Sequence, residues 1–148
     1  MANAMTGGCA CGRIRFTARI ASDDAYYCHC RMCQRATGSV SIAFKNVKKA
    51  DVDWAHEPDW YRSSPIAQRP YCRDCGTSLG FSHPDSEKID LTVASFDDPS
   101  RFRPTSHFGI ESMHLAWLCP PEDLPAMRAD EYRPLIDRWM KAVGSVPA

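Results

Sequence analysis

The sequence predicts a mainly β fold of short antiparallel strands organised around bound metal, and three observations carry that reading. Seven of the eight cysteines fall into tight groups, Cys9-x-Cys11, Cys28-x-Cys30-x2-Cys33 and Cys72-x2-Cys75. Several short segments alternate polar and apolar residues as half-buried strands do, punctuated by Pro58, Pro65, Pro84 and Pro99. Helical spacing of apolar residues occurs only near the C-terminus, at Leu135, Ile136, Trp139, Met140 and Val143.

Taken in order, Arg13-Ile14-Arg15-Phe16-Thr17 reads as a strand entered through a turn at Gly12. A second strand ends at Tyr26-Tyr27-Cys28, a loop runs from His29 to Gly38, and Ser39 to Phe44 alternates again. Further short strands are expected over Val52–Trp54, Trp60–Arg62, Ile66–Tyr71, Ser78–Ser82 and Ile89–Ser95, with a turn at Asp97-Asp98-Pro99. The one expected helix covers about 134–143, with Pro134 in its first turn, and the tail from Gly144 is expected to fray. Trp54, Trp60, Trp117 and Trp139 are expected to serve the core, as large aromatics usually do.

A chain of 148 residues with 44% hydrophobic content is expected to form a single domain, residues 1–148, with its motif core at about 7–118. The formal net charge is zero, so the overall balance points to neither a nucleic-acid nor a membrane partner. No segment approaches the roughly 18 consecutive apolar residues that span a bilayer, and Met1 to Cys11 has no signal-peptide pattern. A soluble, cytoplasmic protein with reduced thiols is therefore expected.

The cysteine spacing is metal-ligand spacing, best matched by zinc. Thiolates one to three residues apart converge on one small ion, whereas such close pairs rarely reach the geometry of an unstrained disulfide. No ferredoxin run of four cysteines is present. Seven clustered cysteines divide as four plus three. Joining Cys9 and Cys11 to Cys72 and Cys75 makes a closed structural tetrad that couples metal binding to folding. Cys28, Cys30 and Cys33 leave a fourth position to something outside their loop. Spacing leaves two options for it, an exogenous ligand, or Cys119 closing a second structural site; Cys119, without a paired neighbour, looks like a lone buried thiol.

The segments Gly8-Cys9-Ala10-Cys11-Gly12, Tyr27-Cys28-His29-Cys30-Arg31-Met32-Cys33-Gln34-Arg35-Ala36-Thr37-Gly38 and Tyr71-Cys72-Arg73-Asp74-Cys75-Gly76-Thr77-Ser78-Leu79 resemble the glutathione-dependent formaldehyde-activating enzyme family, which includes centromere protein V. The resemblance is strong over residues 7 to 82 and weaker to about Trp117. It implies a β-tent fold with two zinc ions, one structural at Cys9, Cys11, Cys72 and Cys75 and one catalytic at Cys28, Cys30 and Cys33. It also implies a carbon–sulfur lyase activity on S-(hydroxymethyl)glutathione, with a small-molecule thiol and aldehyde as partners and glutathione as cosubstrate.

Glutathione is anionic, and Arg31, Arg35 and Arg69 are the first candidates to receive its carboxylates. His29 is a candidate proton carrier, although its alternation with the ligand cysteines points it outward. His56, His83, His107 and His114 carry no distinguishing context. Gly38 and Gly76 are expected to permit the turns that follow the metal loops. The competing classes are a non-catalytic zinc module for protein binding, and a thiol-based redox or metal-buffering protein that loses zinc on mild oxidation.

Overall fold

The computed structural model describes residues 2–147. The chain divides into two compact units, the first ending at His114 and the second beginning at Leu115.

The first unit holds two sheets. Strands β1 (Asn3–Gly8), β2 (Arg15–Ile20) and β5 (Val52–Trp54) form an antiparallel sheet in the order β1-β2-β5. Strands β3 (Asp24–Cys28), β4 (Ile42–Lys48), β6 (Asp59–Ser64), β7 (Ala67–Tyr71), β8 (Gly80–Ser82), β9 (Lys88–Thr92) and β10 (Arg103–Phe108) form the second, ordered β10-β3-β4-β9-β8-β7-β6. Every pairing is antiparallel except β10 with β3. The fold is thus mainly β, built from short strands with few helices. Among the described residues no helix is long and apolar enough to cross a membrane.

Side chains alternate across a strand, so register decides which residues share a face of the larger sheet. Cys28 pairs with Ile42 and Tyr26 with Phe44; Asn46 and Phe81 both pair with Asp90; these residues share one face. Gln68 pairs with Ser82, which places Arg69 opposite Phe81 on that same face. The other face carries Ala25, Val47, Ile89 and Leu91, and it packs against Met5, Phe16, Ala18, Ile20 and Val52 of the smaller sheet. Phe16 anchors this core, meeting Trp54 and Phe96 edge to face at 5.4 and 5.2 Å. Burying one such ring is worth about 1.5–3 kcal/mol. Lys45, also on the core face, is buried and satisfied by the Asp24 carbonyl at 2.6 Å and carboxylate at 3.0 Å.

The differences from expectation have local causes. The strand expected from Ser39 begins at Ile42, because the Ser39 hydroxyl ties the Ser41 backbone into a turn. The strand expected to reach Ser95 stops at Thr92, where a 3-10 turn over Val93–Ser95 begins and Ser95 Oγ donates to the Thr92 carbonyl at 2.7 Å. Strands β1 and β10 have no strong apolar alternation, and β10 is exposed throughout. The segment expected to be a loop from His29 to Gly38 contains a helix, α1 (Arg31–Thr37), capped by Cys30 at its start and by Gly38 at φ +74° at its end.

The second unit contains α2 (Leu115–Leu118) and α3 (Arg133–Val143), the latter matching the one helix the periodicity predicts. Gly144 in the left-handed conformation closes α3, and an Arg133–Asp137 pair at 2.9 Å spans its first turns. Trp117 and Trp139 are 71% and 38% exposed, which corrects the expectation that they serve the core; Trp54 and Trp60 do pack against the first unit's core.

Candidate metal centres

Two turns of similar build present the first cysteine group. Between β1 and β2 the Gly12 N–H donates to the Cys9 carbonyl at 3.1 Å; after β7 the Gly76 N–H donates to the Cys72 carbonyl at 2.7 Å. Both glycines lie in the left-handed region, at φ +81° and +76°, where a side chain is strained. The turns are locked together by the Ala10 N–H donating to Thr77 Oγ1 at 3.0 Å. As a result the Sγ atoms of Cys9, Cys11, Cys72 and Cys75 all lie within 4.8 Å of one another.

This donor set fits zinc. Four sulfurs about 2.3 Å from a central ion stand about 3.8 Å apart in a tetrahedron. The Cys9–Cys11 and Cys11–Cys72 sulfurs are 3.5 and 3.7 Å apart. The Ile14 N–H donates to Cys9 Sγ at 3.2 Å, support that favours a thiolate. Thr77 donates to Cys75 through its hydroxyl and its backbone, and holds that thiol near 5. Cys9 and Cys72 are buried with Ile14 and Leu79 in a small apolar cluster of their own.

The second group is local. Cys28 ends β3, Cys30 caps α1 by accepting the Cys33 N–H at 3.3 Å, and Cys33 lies within α1. Their sulfurs also lie within 4.8 Å of one another, and Cys28 and Cys33 are buried. Gln34, buried beside them, reaches the carbonyls of His29, Val40 and Ser112 at 2.9, 3.1 and 2.9 Å, and so pins the segment from both sides. Gly109 passes so close that a Cβ there would sit 2.8 Å from the Cys30 nitrogen.

Charge within this group is unevenly shared. Hydrogen bonding from Cys28, and then from Arg69, draws the Cys33 thiol down to about 5. The ionised Cys33 sulfur, with burial, pushes Cys28 upward. Arg69 NH2 lies 3.4 Å from Cys33 Sγ, and its guanidinium stacks 4.9 Å from the centre of the Phe81 ring. Beside the three sulfurs is a cavity of about 110 Å³ walled by Tyr26, Phe44, Phe81 and Phe108 together with Arg69.

The remaining candidates are placed as follows. Arg31 and Arg35 are exposed on α1, with Arg31 NH1 donating to Gln34 Oε1 at 3.2 Å. Arg69 is 1% exposed. His29 is fully buried, which corrects the outward expectation: the β3–β10 register sets Tyr27 opposite His107, and His29 Nε2 meets His107 Nδ1 at 2.8 Å in a stacked pair. Burial lowers the pKa of His29. Cys119 is exposed and not the buried thiol its context suggested. The aromatic wall and the His107 contact carried no motif in the sequence, the alternation around Phe44 being their one faint signal; Gln34 lay within the second cysteine segment but carried no sign of its role.

Three comparisons bear on these features. A family model described as glutathione-dependent formaldehyde-activating enzyme matches residues 4–112. An uncharacterized lyase of Schizosaccharomyces pombe is 34% identical over 77 residues, which is 52% of this chain and 56% of that protein, so the chain spans little more than half of that relative. The crystal structure of a Rhodobacter sphaeroides protein superposes with a TM-score of 0.57 at 20% identity, over 70% of this chain and 99% of that one, and shares the fold.

Proposed function

Since the chain belongs to the glutathione-dependent formaldehyde-activating enzyme family, we propose that it is a zinc-dependent carbon–sulfur lyase that forms or breaks a thiol–aldehyde adduct of the S-(hydroxymethyl)glutathione type. The reaction is assigned to Cys28, Cys30 and Cys33, and the tetrad of Cys9, Cys11, Cys72 and Cys75 is assigned a structural zinc. The observation that carries this is the contrast in donor number. Four sulfurs complete one group, whereas three sulfurs face a cavity in the other.

Zinc at the three-cysteine group would supply a position at which a thiol binds as thiolate. The chain's residues do the rest. Gln34 holds the loop that fixes the sulfurs, and Tyr26, Phe44, Phe81 and Phe108 give the cavity beside them an apolar lining. Arg31 and Arg35, exposed on α1, are suited to the carboxylates of glutathione. Arg69, buried against Cys33, is better placed for the reacting end of a ligand than for those distant carboxylates.

A non-catalytic zinc module is the second reading, and a fourth ligand from Cys119 would favour it. Zinc stoichiometry and X-ray absorption during glutathione titration, on the natural chain and Cys119→Ser, separate the two. The lyase reading expects two zinc ions in both proteins and a coordination change on adding glutathione to each. Loss of one zinc in Cys119→Ser, with no response to glutathione, would establish the closed module instead.

A further inference from the structure

Arg69 is the largest fully buried side chain of the protein, yet its charge has no carboxylate partner among the described residues. A buried guanidinium ordinarily spends its five N–H groups on acceptors, because an unpaired buried charge or donor is costly. Here NH2 is directed at Cys33 Sγ, while NH1 and Nε are buried without an acceptor. The group lies over the Phe81 ring, and β7–β8 pairing sets both residues on the sheet face that carries Cys28. The same guanidinium lines the small cavity beside the three cysteines. A buried, positively charged donor with two unpaired nitrogens therefore adjoins the three cysteines.

From this geometry we propose that the guanidinium of Arg69, which lines the cavity beside Cys33, is the oxyanion-binding group that receives the oxygen of the aldehyde–thiol adduct. The assignment rests on the adduct chemistry proposed above. In the forward direction the thiolate sulfur attacks the aldehyde carbon, the new C–S bond forms, and the carbonyl π pair moves onto oxygen. That oxyanion accepts hydrogen bonds from Arg69 and then takes a proton from water, which balances the proton the thiol released. In reverse, the hydroxyl gives up its proton, the oxygen pair re-forms the carbonyl, and the C–S bond breaks. Preorganised donors in a desolvated site act where charge develops, which is where they are most effective. The guanidinium also offsets the negative charge of a three-thiolate zinc site, which by itself would resist a second anion.

The test pairs anion binding with kinetics on the zinc-loaded full chain. Titration of [13C]formate, a small oxyanion, followed by NMR is expected to saturate with the natural protein, weaken in Arg69→Lys and vanish in Arg69→Met, at unchanged zinc content. In the breakdown of S-(hydroxymethyl)glutathione, Arg69→Lys is expected to lower kcat by about 100- to 1000-fold, with KM changed less than about twofold, the pattern of a lost oxyanion donor. Formate binding that is absent from the natural protein, or that survives in Arg69→Met, overturns the proposal. So does a raised KM at unchanged kcat, which would make Arg69 a ground-state carboxylate clamp. Should Arg69→Met lose zinc or fail to fold, wild-type formate affinity in Arg69→Lys would overturn the proposal by itself. Formate binding through Arg69 without any thiol–aldehyde turnover would uphold the oxyanion-binding role and refute the lyase reading.

Discussion

The two cysteine groups use the same donor atom for opposite architectural ends. In the tetrad, sulfurs 61 residues apart meet across two separate turns, as Cys11 and Cys72 do at 3.7 Å. In the other group all three sulfurs come from the junction of β3 and α1. An ion in the tetrad would close a long loop and hold the β1–β2 hairpin to the β7 turn, so its binding free energy would be folding free energy. An ion in the three-cysteine group would close almost nothing. The surroundings differ in the same sense, because the tetrad lies on its own aliphatic cluster whereas the three-cysteine group faces an aromatic cavity with a buried arginine. Similar spacing in sequence therefore yields four sulfurs gathered from two distant turns in one place and three local sulfurs beside a cavity in the other.

The strongest test is a matched pair of serine substitutions. Cys72→Ser, at a fully buried position, is expected to remove most of the roughly 10 kcal/mol that a structural zinc can contribute, so that thermal unfolding monitored by circular dichroism loses its cooperative transition near physiological temperature. Cys30→Ser is expected to lose the second zinc and the glutathione response while melting within a few degrees of the natural protein. Serine is itself a good helix cap, so α1 keeps its N-terminal hydrogen bond. Equal losses of stability in the two variants would break the distinction between the two groups.

A smaller effect is expected at Gly109. This residue has φ +70°, and an added Cβ would lie 2.8 Å from the Cys30 backbone nitrogen. Gly109→Ala should cost about 1–3 kcal/mol through the strained backbone. It should also weaken metal binding at the three-cysteine group selectively. Competition with a chelator would then strip one zinc early and the other at its usual concentration; simultaneous loss of both would mean that the groups are coupled.

The smallest expected effect sharpens the tetrad side. Asp97 accepts from Arg15 and from Thr6 Oγ1 at 2.5 Å, and these contacts hold its carboxyl near 2. Its folded value lies below the ordinary carboxylate value of about 3.9, so the contribution is present above that pH and is lost as pH falls toward 2. Both partners are substantially exposed, with side-chain exposures of 40% for Arg15 and 49% for Asp97, which holds the contribution below about 1 kcal/mol. Urea unfolding of the natural chain and Asp97→Asn at pH 5 and pH 2.5 should give a difference that narrows at the lower pH. Proton competition for the thiolates acts on both proteins and cancels. A constant difference would place the stabilising contacts of Asp97 outside its charge.

Much of this architecture was legible in advance because its causes are local. Cysteines one to three residues apart stay close wherever the chain goes, and the alternation through Arg13-Ile14-Arg15-Phe16-Thr17 marks a half-buried strand without reference to its neighbours, found at Arg15–Ile20. The helical period at Leu135 to Val143 likewise declared α3. Local rules failed where the decisive contact came from another strand. β10 has no apolar alternation and is a strand because it pairs with β3. His29 looked outward in sequence, yet that same pairing brings His107 over its ring.

What the sequence by itself determined was therefore the donor inventory, the predominance of short strands and the C-terminal helix, since spacing and period act over a few bonds. Tertiary structure decided the surroundings of those donors. Arg69 could be noticed as an arginine near a cysteine motif, but only the β7–β8–β9–β4–β3 register carries it across the sheet to Cys33, 36 residues away in the chain, beneath the ring of Phe81. Its burial, its unused nitrogens and the aromatic wall around them arise from side chains meeting across strands, and a register shift of one residue would turn every one of them to the opposite face.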